Sequence, residues 1–86
     1  MIEELKTFIS VVDYKNFTKA AEYLNLSQPS VSTHIKNLEN IFGVTLINRS
    51  IKQKTISITE SGYTLYKRAK EIIKDKISTL QPDDID

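Results

Sequence analysis

Apolar residues recur at helical spacing in the first part of the chain. The first set begins at Ile2 and repeats every three or four residues up to Val12, which predicts an amphipathic helix. Asn16 can cap a second, shorter helix through its side-chain oxygen. This helix carries its apolar side chains on one face, formed by Phe17, Ala20, Ala21 and Leu24. Because small side chains let another helix approach closely, the alanine pair predicts close packing of two helices.

A third helix is predicted from about Ser27 to Phe42. The Ser27 side chain can accept a hydrogen bond from the next turn, and Pro29 is tolerated there because its missing N–H is not needed. The predicted core stripe consists of Val31, Ile35, Leu38 and Phe42. The opposite face carries Pro29, Thr33, Lys36 and Asn40. This face is polar and uncharged apart from the one lysine, and Gly43 is expected to end the helix.

After Gly43 the pattern changes to short strands, V-T-L-I-N-R and T-I-S-I-T, separated by a basic stretch. Thr59 is expected to cap a last helix of roughly 20 residues. Its apolar seam consists of Tyr63, Tyr66, Ala69, Ile73 and Leu80, with Leu65, Ile72 and Ile77 beside it. One small core cannot cover so much apolar surface, so part of this helix is expected to pack on a partner chain.

This order of elements predicts a mainly α fold with a small β-hairpin, the winged helix-turn-helix. It comprises a three-helix core, a two-stranded wing from about Arg49 to Ile58, and a long C-terminal linker and dimerisation helix. We place the winged domain at residues 1–59, with its helix-turn-helix at about 18–37. The long helix follows at 60–80, and residues 81–86 are expected to form a flexible tail.

Composition narrows the function classes. The 86 residues suit one domain, without cysteine and with His34 as the single histidine, which argues against disulfides and metal sites. The sequence has no glycine-rich phosphate loop and no plausible nucleophile–base–acid set, so we expect neither an enzyme nor a cofactor. It also has no membrane-length apolar run and no signal peptide, which predicts a cytoplasmic protein.

Charge is distributed unevenly along the chain. The formal net charge is only +1, but three of the eleven acidic residues lie in the last four positions. Between Val44 and Thr59 there are three cations and no anion: Arg49, Lys52 and Lys54. Winged helices also serve as protein-docking modules, which is the alternative function. A docking module has no need for this cationic wing beside a nearly acid-free third helix, and the combination favours nucleic-acid binding.

Four motifs resemble the N-terminal DNA-binding domain of LysR-type transcriptional regulators, across nearly the whole chain. In order, they are L-K-T-F-I-S-V-V, N-F-T-K-A-A-E-Y-L-N-L-S-Q-P-S-V-S, I-K-N-L-E-N-I-F-G-V-T-L-I-N-R-S and I-T-E-S-G-Y. The resemblance implies a sequence-specific bacterial regulator that binds double-stranded operator DNA as a homodimer or tetramer paired through the last helix. It also implies a larger effector-binding domain that senses a small molecule in a full-length form. That domain is absent here, and we favour a fragment over a naturally short protein.

The resemblance also implies residue roles. Contacts with base edges fall to Gln28, Pro29, Ser32 and Thr33. Contacts with the DNA backbone fall to Thr18, Ser27, Ser30 and Lys36, and in the wing to Arg49, Lys52 and Lys54. Dimer contacts are expected from Tyr66, Ala69, Ile73, Ile77 and Leu80.

The sequence departs from the family pattern in two places. Many relatives have arginine at position 33 and glutamine or arginine at position 34, where this chain has Thr33 and His34. Guanine recognition should therefore be weaker here, and operators richer in A·T pairs are favoured. The wing is about two residues longer than usual and lacks glycine, so Arg49 is the firmest assignment within it.

Several residues allow both a structural and a functional interpretation. For His34, partial packing or a phosphate contact is favoured over a pH switch. For Tyr63 and Tyr66, packing is favoured over stacking on bases. For the lysines of the last helix, a solvent-exposed face is favoured over direct contact with DNA.

Overall fold

The computed structural model describes residues 1–50 and 55–80, with the side chains of residues 1–49 and 55–74. The elements in chain order are α1 (Ile2–Tyr14), α2 (Phe17–Leu24), α3 (Gln28–Phe42), β1 (Ile47–Ser50), β2 (Thr55–Ile58) and α4 (Glu60–Leu80). The predicted fold class, a mainly helical winged helix-turn-helix, is confirmed. The predicted tail at 81–86 and the wing lysines Lys52 and Lys54 lie outside the described residues.

Local capping explains why the helices begin and end where they do. The side chain of Asn16 accepts a hydrogen bond from the Lys19 amide at 2.8 Å, and that of Ser27 accepts one from the Ser30 amide at 3.2 Å. Both caps agree with the sequence predictions. Gly43 ends α3 with a φ of 69°, a left-handed conformation that glycine adopts without steric cost.

The core lies between α1 and the other three helices. Phe8, Val11, Val31 and Leu38 have no exposed surface, and the predicted alanine pair of α2 is buried with them. Phe42 was predicted to join this stripe, and that prediction was wrong because its side chain is 46% exposed. Phe42 lies one turn beyond Leu38, the last buried residue of α3, and lines a surface groove instead.

A short antiparallel hairpin forms the wing, with Ile47 opposite Ile58 and Arg49 opposite Ile56. β1 begins three residues later than the predicted strand, which was expected to start at Val44. β1 begins at Ile47 because its partner, Ile58, is the last residue of β2 and α4 begins two residues later. The Leu46 and Ile47 amides donate to Oε2 of Glu39 at 2.8 and 3.3 Å.

The start of α4 is fixed to the same segment. Thr59 donates its amide hydrogen bond to the Leu46 carbonyl at 3.0 Å, and its hydroxyl oxygen accepts from the Gly62 amide at 2.9 Å. Thr59 therefore caps α4 as predicted. Within the described residues, no helix is both long and apolar enough to cross a membrane.

Candidate nucleic-acid interface

The first turns of α2 and α3 meet at one exposed surface. The side-chain Nε2 of Gln28, the first residue of α3, donates a hydrogen bond to Oγ1 of Thr18 in α2 at 2.7 Å. This contact joins a predicted base-reading residue to a predicted backbone-binding residue across the helix-turn-helix. The sequence placed both residues at helix starts but did not predict the bond between them.

The other predicted base-reading residues continue along α3. Pro29 and Thr33 are exposed, and Ser32 is half-buried. Pro29 and Thr33 line a shallow surface groove together with Ser30 and His34. Lys36 is exposed one turn later. These side chains present hydroxyls, apolar carbons and one cation, which are groups that can contact base edges and phosphates.

Neither α2 nor α3 carries an acidic residue in its first turn. A helix N-terminus has free N–H groups and a partial positive charge, which nearby carboxylates would neutralise. The hydroxyl of Ser27 donates to that of Ser30 at 3.0 Å, so the exposed start of α3 also bears an ordered pair of hydroxyls. The surface is therefore suited to anions such as phosphate groups.

The wing adds a cation beside α2. The Arg49 guanidinium carbon lies 4.3 Å from the centroid of the Phe17 ring, within cation–π distance. Phe17 directly precedes Thr18, so this contact brings the base of the wing to the start of α2. Arg49 remains exposed and can still meet a ligand that approaches this surface.

His34 packs against α1. Its Nδ1 lies 2.7 Å from Oγ1 of Thr7, whose hydroxyl also bonds to the Glu3 carbonyl at 3.0 Å. A carbonyl can only accept, so the single hydroxyl proton goes to Glu3, and Nδ1 of the histidine is the donor to Thr7. The favoured reading, partial packing, agrees with this half-buried position.

The predicted dimer residues differ in their exposure. Ala69 is fully buried in the chain's own core, which leaves it no surface for a partner. Tyr66 is half-buried, and its hydroxyl donates to the Asp13 carboxylate. Ile73 is half-buried and Ile72 is 42% exposed. The side chains of Ile77 and Leu80 lie outside the described residues.

Sequence reasoning missed two polar residues that support this surface. Thr7 is 2% exposed and holds His34 from α1, and Glu39 holds the start of β1 from α3. A signal exists for Glu39, since it is the only acidic residue of α3 and it follows the buried Leu38. For Thr7, the signal is a polar side chain within the apolar stripe of α1.

Comparison with known proteins gives concordant matches. Residues 2–63 match the family model for bacterial regulatory helix-turn-helix proteins of the lysR family. The HTH-type transcriptional regulator CysL of Bacillus subtilis is 61% identical over 69 residues, covering 80% of this chain and 22% of that protein. CrgA of Neisseria meningitidis, also an HTH-type transcriptional regulator, is 40% identical over 73 residues, covering 85% of this chain and 24% of that protein. The chain thus spans about a quarter of the length of these curated relatives.

Solved structures agree with the sequence comparison. The CbnR_DBD-DNA complex has a TM-score of 0.88 at 29% identity, with 95% of this chain and 92% of that chain covered. The BenM_DBD/catB site 1 DNA complex has a TM-score of 0.87 at 30% identity, with 94% and 89% covered. Fold, motif order and family model agree, and the chain belongs to the lysR family of bacterial regulatory helix-turn-helix proteins.

Proposed function

We propose that this chain binds double-stranded operator DNA as the DNA-binding part of a transcriptional regulator, with α3 in the major groove and the wing near the minor groove. The observation that carries the proposal is the surface where Gln28 of α3 bonds to Thr18 of α2. The first turn of neither helix carries an acidic residue, and Arg49 lies beside this surface. The two solved structures described above are both DNA complexes, which supports the same partner for this chain. We propose no catalytic step. The chain would act in the bacterial cytoplasm, at the nucleoid.

The proposed contacts with base edges come from the first two turns of α3. Gln28 offers an amide that can pair with adenine through two hydrogen bonds, and Pro29 can touch a thymine methyl group. Ser32 and Thr33 continue the contact one turn later, where Thr33 offers a methyl and a hydroxyl in place of an arginine. Since none of these four side chains carries a charge, we expect a preference for A·T pairs over guanine-rich sites.

Phosphate contacts surround this reading surface. Thr18, Ser27 and Ser30 supply hydroxyls at helix starts, and Lys36 supplies a cation on the exposed face of α3. In the wing, Arg49 is suited to a minor groove narrowed by A·T sequence, while Lys52 and Lys54 would act on phosphates.

Dimer or tetramer formation is proposed through α4. The exposed surface of Ile72 and the half-buried Tyr66 and Ile73 are apolar groups that a partner helix can cover. Ile77 and Leu80 extend the proposed contact, and the buried Ala69 supports it only from within the chain's own core. A small-molecule effector belongs to a longer form of the protein.

The experiment begins with selection of binding sites from random DNA duplexes, which yields an operator for titration. We expect Gln28→Ala to weaken operator binding by roughly 1 to 3 kcal/mol while leaving binding to random duplexes nearly unchanged. Asn40→Ala is the matched control, since Asn40 is an exposed amide near the far end of the same helix. Equal losses on operator and random DNA would contradict the assignment of Gln28. No duplex preference, with no salt dependence of binding, would instead favour a protein-docking module.

A further inference from the structure

We propose that Thr18 is a positioning residue for base recognition: its hydroxyl holds the Gln28 amide so that this amide presents one donor and one acceptor to the base. The inference rests on the proposed function and adds a role to the phosphate contact expected of Thr18. It is carried by the 2.7 Å bond from Nε2 of Gln28 to Oγ1 of Thr18, between two exposed residues.

The acceptor of this bond is fixed in place. Thr18 is the second residue of α2, directly after Phe17, and the Asn16 cap fixes that helix start. Threonine in a helix is largely limited to two rotamers, and the one seen here places Oγ1 within 2.7 Å of the Gln28 amide nitrogen. Gln28 is likewise the first residue of α3, beside the Ser27 cap. Two capped helix starts thus set the distance between hydroxyl and amide.

The bond changes which groups Gln28 has left for DNA. A glutamine amide carries two N–H donors and one carbonyl acceptor. One N–H is used on Thr18, which leaves one N–H and the carbonyl. In the major groove adenine presents one acceptor and one donor, N7 and the N6 amino group, whereas guanine presents two acceptors, N7 and O6. The remaining pair of groups therefore complements adenine and is one donor short for guanine.

The phosphate role of Thr18 is compatible with this bond. The hydroxyl accepts from Gln28 and keeps its own proton, which can be donated to a phosphate oxygen. Linked hydrogen bonds of this kind polarise one another, so a phosphate bound to Thr18 would make its oxygen a better acceptor for Gln28. Backbone contact and base reading would then reinforce each other through one side chain.

The test compares Thr18→Val, which keeps the branched shape and removes the hydroxyl, with Thr18→Ser, which keeps the hydroxyl. Site selection with wild type and Gln28→Ala first identifies the base pair at which Gln28 acts. Dissociation constants are then measured for two operators that differ only there, one with A·T and one with G·C. The readout is the ratio of the two constants, because loss of a phosphate contact weakens both complexes equally and leaves this ratio unchanged.

We expect wild type to favour A·T by about tenfold. Thr18→Val should lower this ratio by about threefold or more, and Thr18→Ser should retain it. In the Gln28→Ala background, Thr18→Val should have no further effect on the ratio. An unchanged ratio in Thr18→Val, an equal loss in Thr18→Ser, or a Gln28-dependent preference for guanine would overturn the proposal. If wild type selects no duplex at all, the proposed function fails instead, and the two failures are thereby distinguished.

Discussion

Gly62 lies in the first turn of α4, where this helix touches the segment leading into the wing. A methyl group at this position would lie 2.4 Å from the Leu46 carbonyl oxygen and 2.7 Å from Cγ2 of Ile58. The Ile58 side chain can rotate, but the carbonyl is backbone and accepts the Thr59 amide at 3.0 Å. Gly62→Ala therefore requires α4 to move away from Leu46, which strains or breaks that hydrogen bond.

The expected loss follows from opposing effects on the free energy of unfolding. Alanine is better than glycine in a helix by about 1 kcal/mol. Forcing a methyl group into a filled site costs about 1 to 3 kcal/mol, and a weakened hydrogen bond adds roughly 1 kcal/mol. We therefore expect Gly62→Ala to lower the free energy of unfolding by about 1 to 3 kcal/mol in total. In a domain of this size each kcal/mol shifts the melting temperature by about 4 to 8 °C.

Urea and thermal unfolding of the chain, followed by circular dichroism, measure this loss. Ser61→Ala is the matched control, because Ser61 is exposed in the same turn and its change should stay within about 0.5 kcal/mol. Gly43→Ala separates crowding from backbone strain, since nothing lies within 4 Å of that position but its φ is +69°. It should lose about 1 to 2 kcal/mol through the left-handed conformation alone. A Gly62→Ala chain as stable as Ser61→Ala would refute the reasoning.

Two further predictions concern polar contacts of α1. Thr7→Val leaves the N–H donor of His34 without its partner and should lower the free energy of unfolding in urea by about 1 to 3 kcal/mol. Thr64→Val is the control, because it removes an exposed hydroxyl that makes the same kind of bond to the preceding turn, and it should change the free energy little. Equal effects would argue against the bond to His34. The Asp13 carboxylate, by accepting the hydroxyl bond of Tyr66, raises the pKa of that tyrosine above its ordinary 10.0. The contribution of this hydrogen bond to stability is thus present below pH 10 and lost as the pH rises through the pKa of Tyr66 in the folded state. Tyr66→Phe should flatten the alkaline decline of stability, and an identical decline would contradict the assignment.

Helix boundaries were predictable because they depend on neighbouring residues. Asn16, Ser27 and Thr59 each accept a hydrogen bond from the amide three residues ahead, and Gly43 adopts the left-handed conformation that ends α3. Such signals are complete within a few positions of the sequence. The resemblance of motifs then supplied the candidate residues on α2, α3 and the wing.

The remaining features depend on contacts between distant residues. Phe42 continues the apolar period of α3, and periodicity alone cannot show that the core ends at Leu38. Likewise, the bond between Gln28 and Thr18 joins side chains ten positions apart on different helices. Ala69 has the spacing of a seam residue, but the packing of α4 on α1 places it inside the core. In each case the sequence gives the face of the helix, and only tertiary packing decides what covers that face.

One short segment, Leu46 and Ile47, connects α3, the wing and α4. Glu39 binds the amides of Leu46 and Ile47 from the end of α3, and the Leu46 carbonyl binds the Thr59 amide at the start of α4. Gly62 approaches the same carbonyl so closely that α4 cannot move toward it without displacing this segment. A movement of α4 toward Leu46 would therefore displace this segment, and with it the base of the wing. If two chains pair through α4 and bind DNA as proposed, the angle of that pairing fixes where both wings and both copies of α3 meet the duplex, which links dimer geometry to the spacing of operator half-sites.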